Sequence, residues 1–231
     1  MHSPLLVAAV ALAIADPASA GTRNFSVTGF DRIRVDGPYS VKVTTGVAPF
    51  ARATGSSAAL DGVAIEVNGR TLVVHPSRSS WGGYPGKSAG PVEIEVGTHE
   101  LTAAWVNGAG GVDINKVKGL LFDLSVQGAG SARIGTVAVD QLKVGIGGTA
   151  SATLAGKTGK LTTLVRGNSS LDGANLDTKD VNVGAEGPAT VRLAVSNSAK
   201  INASGPSQVI LTGGPACTVT AAGSASVTGC D

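Results

Sequence analysis

The chain has 231 residues, 33 of them glycine, with 42% hydrophobic and only 3% aromatic side chains. The apolar share is too large for a disordered polymer, and the glycines follow no Gly-X-Y period, which excludes collagen. A formal net charge of +2, spread thinly and with no basic run interleaved with aromatics, argues against a nucleic-acid partner.

The N-terminus, MHSPLLVAAVALAIADPASAG, carries a short apolar run from Leu5 to Ile14 and then Ala18-Ser19-Ala20, a small-x-small cleavage pattern. Residues 1–20 therefore read as a secretory signal peptide, cleaved before Gly21. Its first residues hold only His2 and no Lys or Arg. A buried N-terminal strand or helix is the competing reading. After cleavage no apolar run is long enough to cross a bilayer as a helix. What remains, 21–231, has the length of one all-β domain.

Strand signals follow at once. RIRVDGPYSVKVTTG alternates apolar and polar through Ile33-Val35 and Val41-Val43, on either side of Asp36-Gly37-Pro38. VAIEVNGRTLVVHP places Asn68-Gly69 between two alternating runs, a hairpin signal. PVEIEVG is one more strand. The stretch between, SRSSWGGYPGKSAG from Ser77 to Gly90, is the longest loop candidate.

From about Ala103 to Cys230 the chain repeats itself. With Ser131 as landmark, equivalent positions fall at Gly111, Ser131, Ser151, Ser170, Pro188, Pro206 and Ser224, in steps of 18 to 20 residues. The preceding residue is always Gly or small. Five residues before the landmark stand Val106, Val126, Ile146, Val165, Val183, Ile201 and Val219. One repeat of strand, tight turn and strand cannot bury its apolar face alone, whereas stacked repeats bury it against each other. The pattern predicts a parallel β-solenoid with seven coils of 18–20 residues, in which those seven residues form one inward ladder. The turn Gly128-Ala129-Gly130 is then a corner, where glycine takes positive φ, and not a phosphate-binding loop. Phe122 is the last aromatic, so small aliphatics must build the core.

Cys217 and Cys230 are the only cysteines. In an exported protein such a pair is expected to bridge; the alternative is two unpaired small buried residues.

Four stretches together carry a resemblance: DGPYSVKVTTG near the start, the hairpin VNGRTLVVHP, turns such as GAGSARI, and the ending GGPACTVTAAGSASVTGC. In this order and spacing, over about Phe25 to Cys230, the chain resembles the bacterial head GIN domain family, described as auto-transporter adhesins. The resemblance implies an all-β, right-handed parallel β-helix behind a signal peptide, in an exported protein with no known catalytic residues. The turn at Gly167-Asn168-Ser169-Ser170 and the turns at Pro188 and Pro206 depart from the usual Gly-Ser-Gly form.

Motifs that could carry chemistry lack their context. GKSAG, Gly86 to Gly90, fits a nucleophile elbow but is followed by a strand, so Ser88 is not read as catalytic. GGYPGKS is one residue short of a phosphate-binding loop and has no helix after it. GIGGTA, from Gly145, is one corner among seven. His75 and His99 stand without further metal ligands at useful spacing. Asp113, Asp123, Asp140, Asp172, Asp177, Asp180 and Glu186 fall at different phases of the repeat, so they are not expected on one face. No cofactor or metal is implied.

Trp81 and Tyr84 stand out in the polar loop as a candidate ligand or partner site. Exposed aromatics favour sugar faces and protein partners; the rings could instead fold back and cover the solenoid. The expected function is an exported, non-catalytic module that binds a cell-surface glycan or an envelope protein, in the periplasm, on the surface or outside the cell. A carbohydrate-active β-helix enzyme is the alternative.

Overall fold

The computed structural model describes residues 21–77 and 90–231. They form a β-solenoid of about six stacked turns, fewer than the seven coils expected from the repeat.

The first turn is β2 (Arg32–Asp36), a glycine corner and β3 (Ser40–Thr45). After a long insertion the chain returns as β8 (Ala103–Gly108) and winds on through β9 (Gly111–Gly128), β10 (Ser131–Gly148), β11 (Ser151–Gly167), β12 (Ser170–Glu186) and β13 (Thr190–Ser204). The last turns are β14 (Gln208–Thr212), β15 (Ala216–Ala222) and β16 (Ser226–Thr228). Each long strand bends from one face of the solenoid to the other. In β10, pairs of consecutive exposed residues, Gly135-Thr136 and Asp140-Gln141, interrupt the alternation where the chain bends. Neighbouring coils pair in parallel, residue on equivalent residue, as Ser131 on Gly111 and on Ser151. We call the face that contains β8 and β15 the first face, and the face that contains β3 and β14 the second.

The inward side chains stack as the alternation requires. Val35, Val106, Val126, Ile146 and Val165 form one ladder, each at most 2% exposed. Beyond Val165 the expected ladder is corrected. Ser170 pairs with Thr190, a step of 20, so Val165 stacks on Ala185 and not on Val183. Val183 is still fully buried, but in the next ladder, between Thr163 and Ile201. A shift by two leaves every side chain on its own face, so hydrophobic alternation cannot detect it. A bulge in β12 between Gly173 and Asp177 takes up the extra length.

The glycines set the true register. Gly37, Gly108, Gly128, Gly148, Gly167, Gly187, Gly205 and Gly223 all have φ between +70° and +106°. They stack at one corner, so close that a Cβ on Gly128 would lie 2.7 Å from the Gly108 carbonyl oxygen. Only glycine meets both demands. Next to them the buried residues Gly130, Ala150, Ser169, Ala189 and Ser207 accept backbone hydrogen bonds from the coil above.

The insertion closes the N-terminal end. β5 (Val63–Asn68) and β6 (Thr71–Pro76) form the expected hairpin, with Gly69 at positive φ as the first of two turn residues. β6 lies parallel on β2. On the other face β7 (Glu93–Thr98) lies parallel on β3, then β4 (Phe50–Gly55) and β1 (Gly21–Phe25) add antiparallel. The short helix α1 (Ser57–Asp61), capped by the Ser56 hydroxyl, buries Ala59 and Leu60. Arg70 in the hairpin turn holds the buried carboxylate of Asp31 at 2.6 Å.

At the other end Cys217 and Cys230 form a disulfide, as expected, with Cα atoms 5.7 Å apart. The bridge ties the end of the chain to β15.

Candidate binding groove

On the second face, alternation puts Val41, Ile94, Val112, Ala132 and Ala152 inside. Their neighbours point out and form two ladders side by side. One runs Glu93, Ser40, Gly111, Ser131, Ser151 and Ser170. The other runs Arg52, Glu95, Lys42, Asp113, Arg133, Thr153, Asp172 and Arg192.

Past Glu93 the first ladder consists of serines and Gly111, short and mostly hydroxylated, whereas the second is long and charged. Low residues beside tall ones leave a groove of about 560 Å³, from Glu93 and Glu95 to Ser151 and Thr153. Gly111 keeps its floor low, because a Cβ there would lie 2.9 Å from the Ser131 hydroxyl.

The charges alternate in sign along the stack, at a spacing of about 4.8 Å. Arg52 donates to Glu95 at 2.7 Å. Asp113 has Lys42 on one side and Arg133 on the other. The wall thus offers many donors and acceptors with little net field. Such a surface suits a ligand rich in hydroxyls better than a polyanion, which needs one dominant sign.

The expectation of scattered carboxylates is therefore corrected in part. Asp113 and Asp172 share a ladder with Glu95. Asp123 and Asp180 lie on the first face, and the Asp180 carboxylate accepts from the Ser198 hydroxyl at 2.5 Å and from Asn197 at 2.7 Å. These two bonds, Ser198 first, hold its pKa below the ordinary carboxylate value. Asp177 faces Lys157 at 3.4 Å, and Glu186 faces Arg166 at 2.8 Å. The sequence reading missed Lys42 and Glu95 because they precede the visible repeat. The signal was a charged residue between two apolar ones, as in VKV, IEV, VDI and VRL.

His75 contacts Glu66 at 3.1 Å on the hairpin. Among the described residues no three of His, Cys, Asp and Glu gather in a way that could hold a metal. Trp81, Tyr84 and Ser88 lie outside the described residues. GIGGTA falls at a stacked corner, with Gly148 on Gly128.

The model of the family described as "Putative auto-transporter adhesin, head GIN domain" matches residues 29–215. The chain belongs to the head GIN domain family. Solved structures share its fold. A "putative adhesin" from Bacteroides fragilis NCTC 9343 has a TM-score of 0.80 at 17% identity, over 91% of this chain and 95% of that one. A "putative adhesin" from Parabacteroides distasonis ATCC 8503 has 0.68 at 16%, over 91% and 97%. A "Putative lipid binding protein" from the same strain has 0.67 at 18%, over 90% and 95%. At such identities the likeness speaks for the fold alone. No curated protein matches the sequence. Head GIN membership and the disulfide together fit an extracytoplasmic, adhesin-like protein. No described helix is long and apolar enough to cross a membrane.

Proposed function

We propose that this head GIN protein is a single exported domain, 21–231 behind a signal peptide, that binds a neutral cell-surface glycan without cleaving it. The reading is carried by the groove, where a hydroxyl ladder runs beside a wall of alternating charge. Sugar hydroxyls both donate and accept, and the wall offers both in register. Rigid strands hold these groups in place, so little side-chain order is lost on binding. Binding of the purified mature chain to a glycan array, with Asp113→Ala/Arg133→Ala as control, tests it. An envelope protein in place of a glycan would appear as array silence with retention on cell envelopes.

A carbohydrate-active enzyme is the second reading, favoured by Glu93, Glu95 and Asp113 lining one groove. Against it, Glu95 is engaged by Arg52, and Asp113 neighbours two cations in register. Release of reducing ends from an array-positive polysaccharide would favour the enzyme.

Trp81 and Tyr84 are proposed from sequence to contribute to recognition. The double alanine variant should lose binding and keep its melting temperature. Lost stability would assign the rings to packing.

A further inference from the structure

The two ends of the solenoid differ. The N-terminal end is closed by antiparallel strands and guarded by charge. Arg23 on β1 pairs with Asp61 at 2.6 Å, and Glu66 on β5 contacts His75. Charges on edge strands keep other strands away.

The edge strands of the C-terminal end, β15 and β16, carry no charge. β15 pairs with β13 on one side and β16 with β14, and neither has a partner on its other side among the described residues. Val219 continues the inward ladder of Ile33, Ala104, Leu124, Val144, Thr163, Val183 and Ile201. Those seven are at most 3% exposed, whereas Val219 is 44% exposed. The last rung of this ladder is thus half exposed, while Cys217, Ala225 and Val227 beside it are partly buried against the core. Asp231, the charge at this end, lies against Gly214, before the start of β15. The disulfide holds this edge in place, because it ties the end of the chain to β15.

We propose that this end is a self-association face: two copies pair head to head, β15 against β15 of the second copy, antiparallel about Val219. Val219 is the central residue of a seven-residue strand. A two-fold axis there sets Val219 against its own copy and joins the two cores. An isologous interface confronts each residue with its own surroundings, and an uncharged edge meets itself without repulsion. Head-to-tail growth is disfavoured, because the N-terminal end offers antiparallel, charged edge strands. Association therefore stops at two. The pairing continues the first face across the axis and leaves both second-face grooves on one side, so the dimer is bivalent.

Sedimentation velocity of the full mature chain over a range of concentrations tests this. The expected result is a reversible dimer. Val219→Lys should weaken it roughly a hundred-fold or more by burying a charge, with the fold intact because the site is half exposed in the single chain. Hydrogen exchange on the unaltered protein gives a readout independent of any variant. Amides of β15 and β16 should gain protection at high concentration, and those of β1 and β5 should not. A monomer at every concentration overturns the proposal, whatever other strand then binds the edge. A dimer that protects another region overturns it as well.

Discussion

Asp113 stands between Lys42 and Arg133 on one outward ladder of the second face. Asp113 lies 71 positions after Lys42 in sequence, yet the two are neighbours on adjacent strands. Exposed pairs of this kind contribute about 0–1 kcal/mol each. The ladder is therefore not needed for folding, and its substitution can be read as a change of surface. Arg133→Glu should shift the unfolding free energy by about 1 kcal/mol or less. Adding Asp113→Arg restores opposite charges at this pair but sets a second cation beside Lys42, so the double variant should also stay within about 1 kcal/mol. Urea titration of the single and double variants checks both statements.

The corner glycines should resist substitution. Gly128→Ala forces an alanine to φ +98° and sets its Cβ against the Gly108 carbonyl. A loss of about 1–3 kcal/mol is expected. Gly46 also has positive φ, +84°, but open space around it. Gly46→Ala should cost the backbone strain alone, about 1–2 kcal/mol. Chemical denaturation of the pair separates conformation from crowding.

Two core substitutions should act in opposite directions. Ile146→Asp buries an unpaired charge in the ladder between Val126 and Val165 and should prevent a stable fold. Thr163 is buried in the neighbouring ladder, and its hydroxyl has no hydrogen-bond partner. Thr163→Val keeps the shape and removes that group, so the melting midpoint should rise, by about 1 kcal/mol in free energy.

Much of this architecture was legible from residues alone. Val126, Ile146 and the corner at Gly128 announced coils of 18 to 20 residues, because stacking demands like on like. The register past Ser170 was not, since a slip of two residues preserves alternation, and only the positive φ of Gly187 and Gly205 resolves it. The groove was hidden for a different reason. Lys42 and Glu95 flank the insertion, and pairing across it depends on how β7 returns to β3. The bridge between Cys217 and Cys230 was readable from compartment and proximity.

Acid should loosen the coil at Asp180. Its folded pKa is lowered by hydrogen bonds from Ser198 and then Asn197. A depressed carboxylate contributes stability above its unfolded value, and that stability is lost as pH falls through the folded value. Ser198→Ala should flatten the pH dependence of the melting temperature below about pH 4. The change will be small, because the carboxylate faces solvent. An unaltered acid limb would assign the dependence to other carboxylates.

The most direct test of the account is glycan binding by the groove itself. The mature chain is titrated calorimetrically with its best array ligand, beside Asp113→Ala/Arg133→Ala and a first-face control, Lys143→Ala. The expected result is binding by the wild type and the control, loss in the groove variant, and equal melting temperatures for all three. Equal binding by all three proteins, or no glycan bound by the wild type, contradicts it.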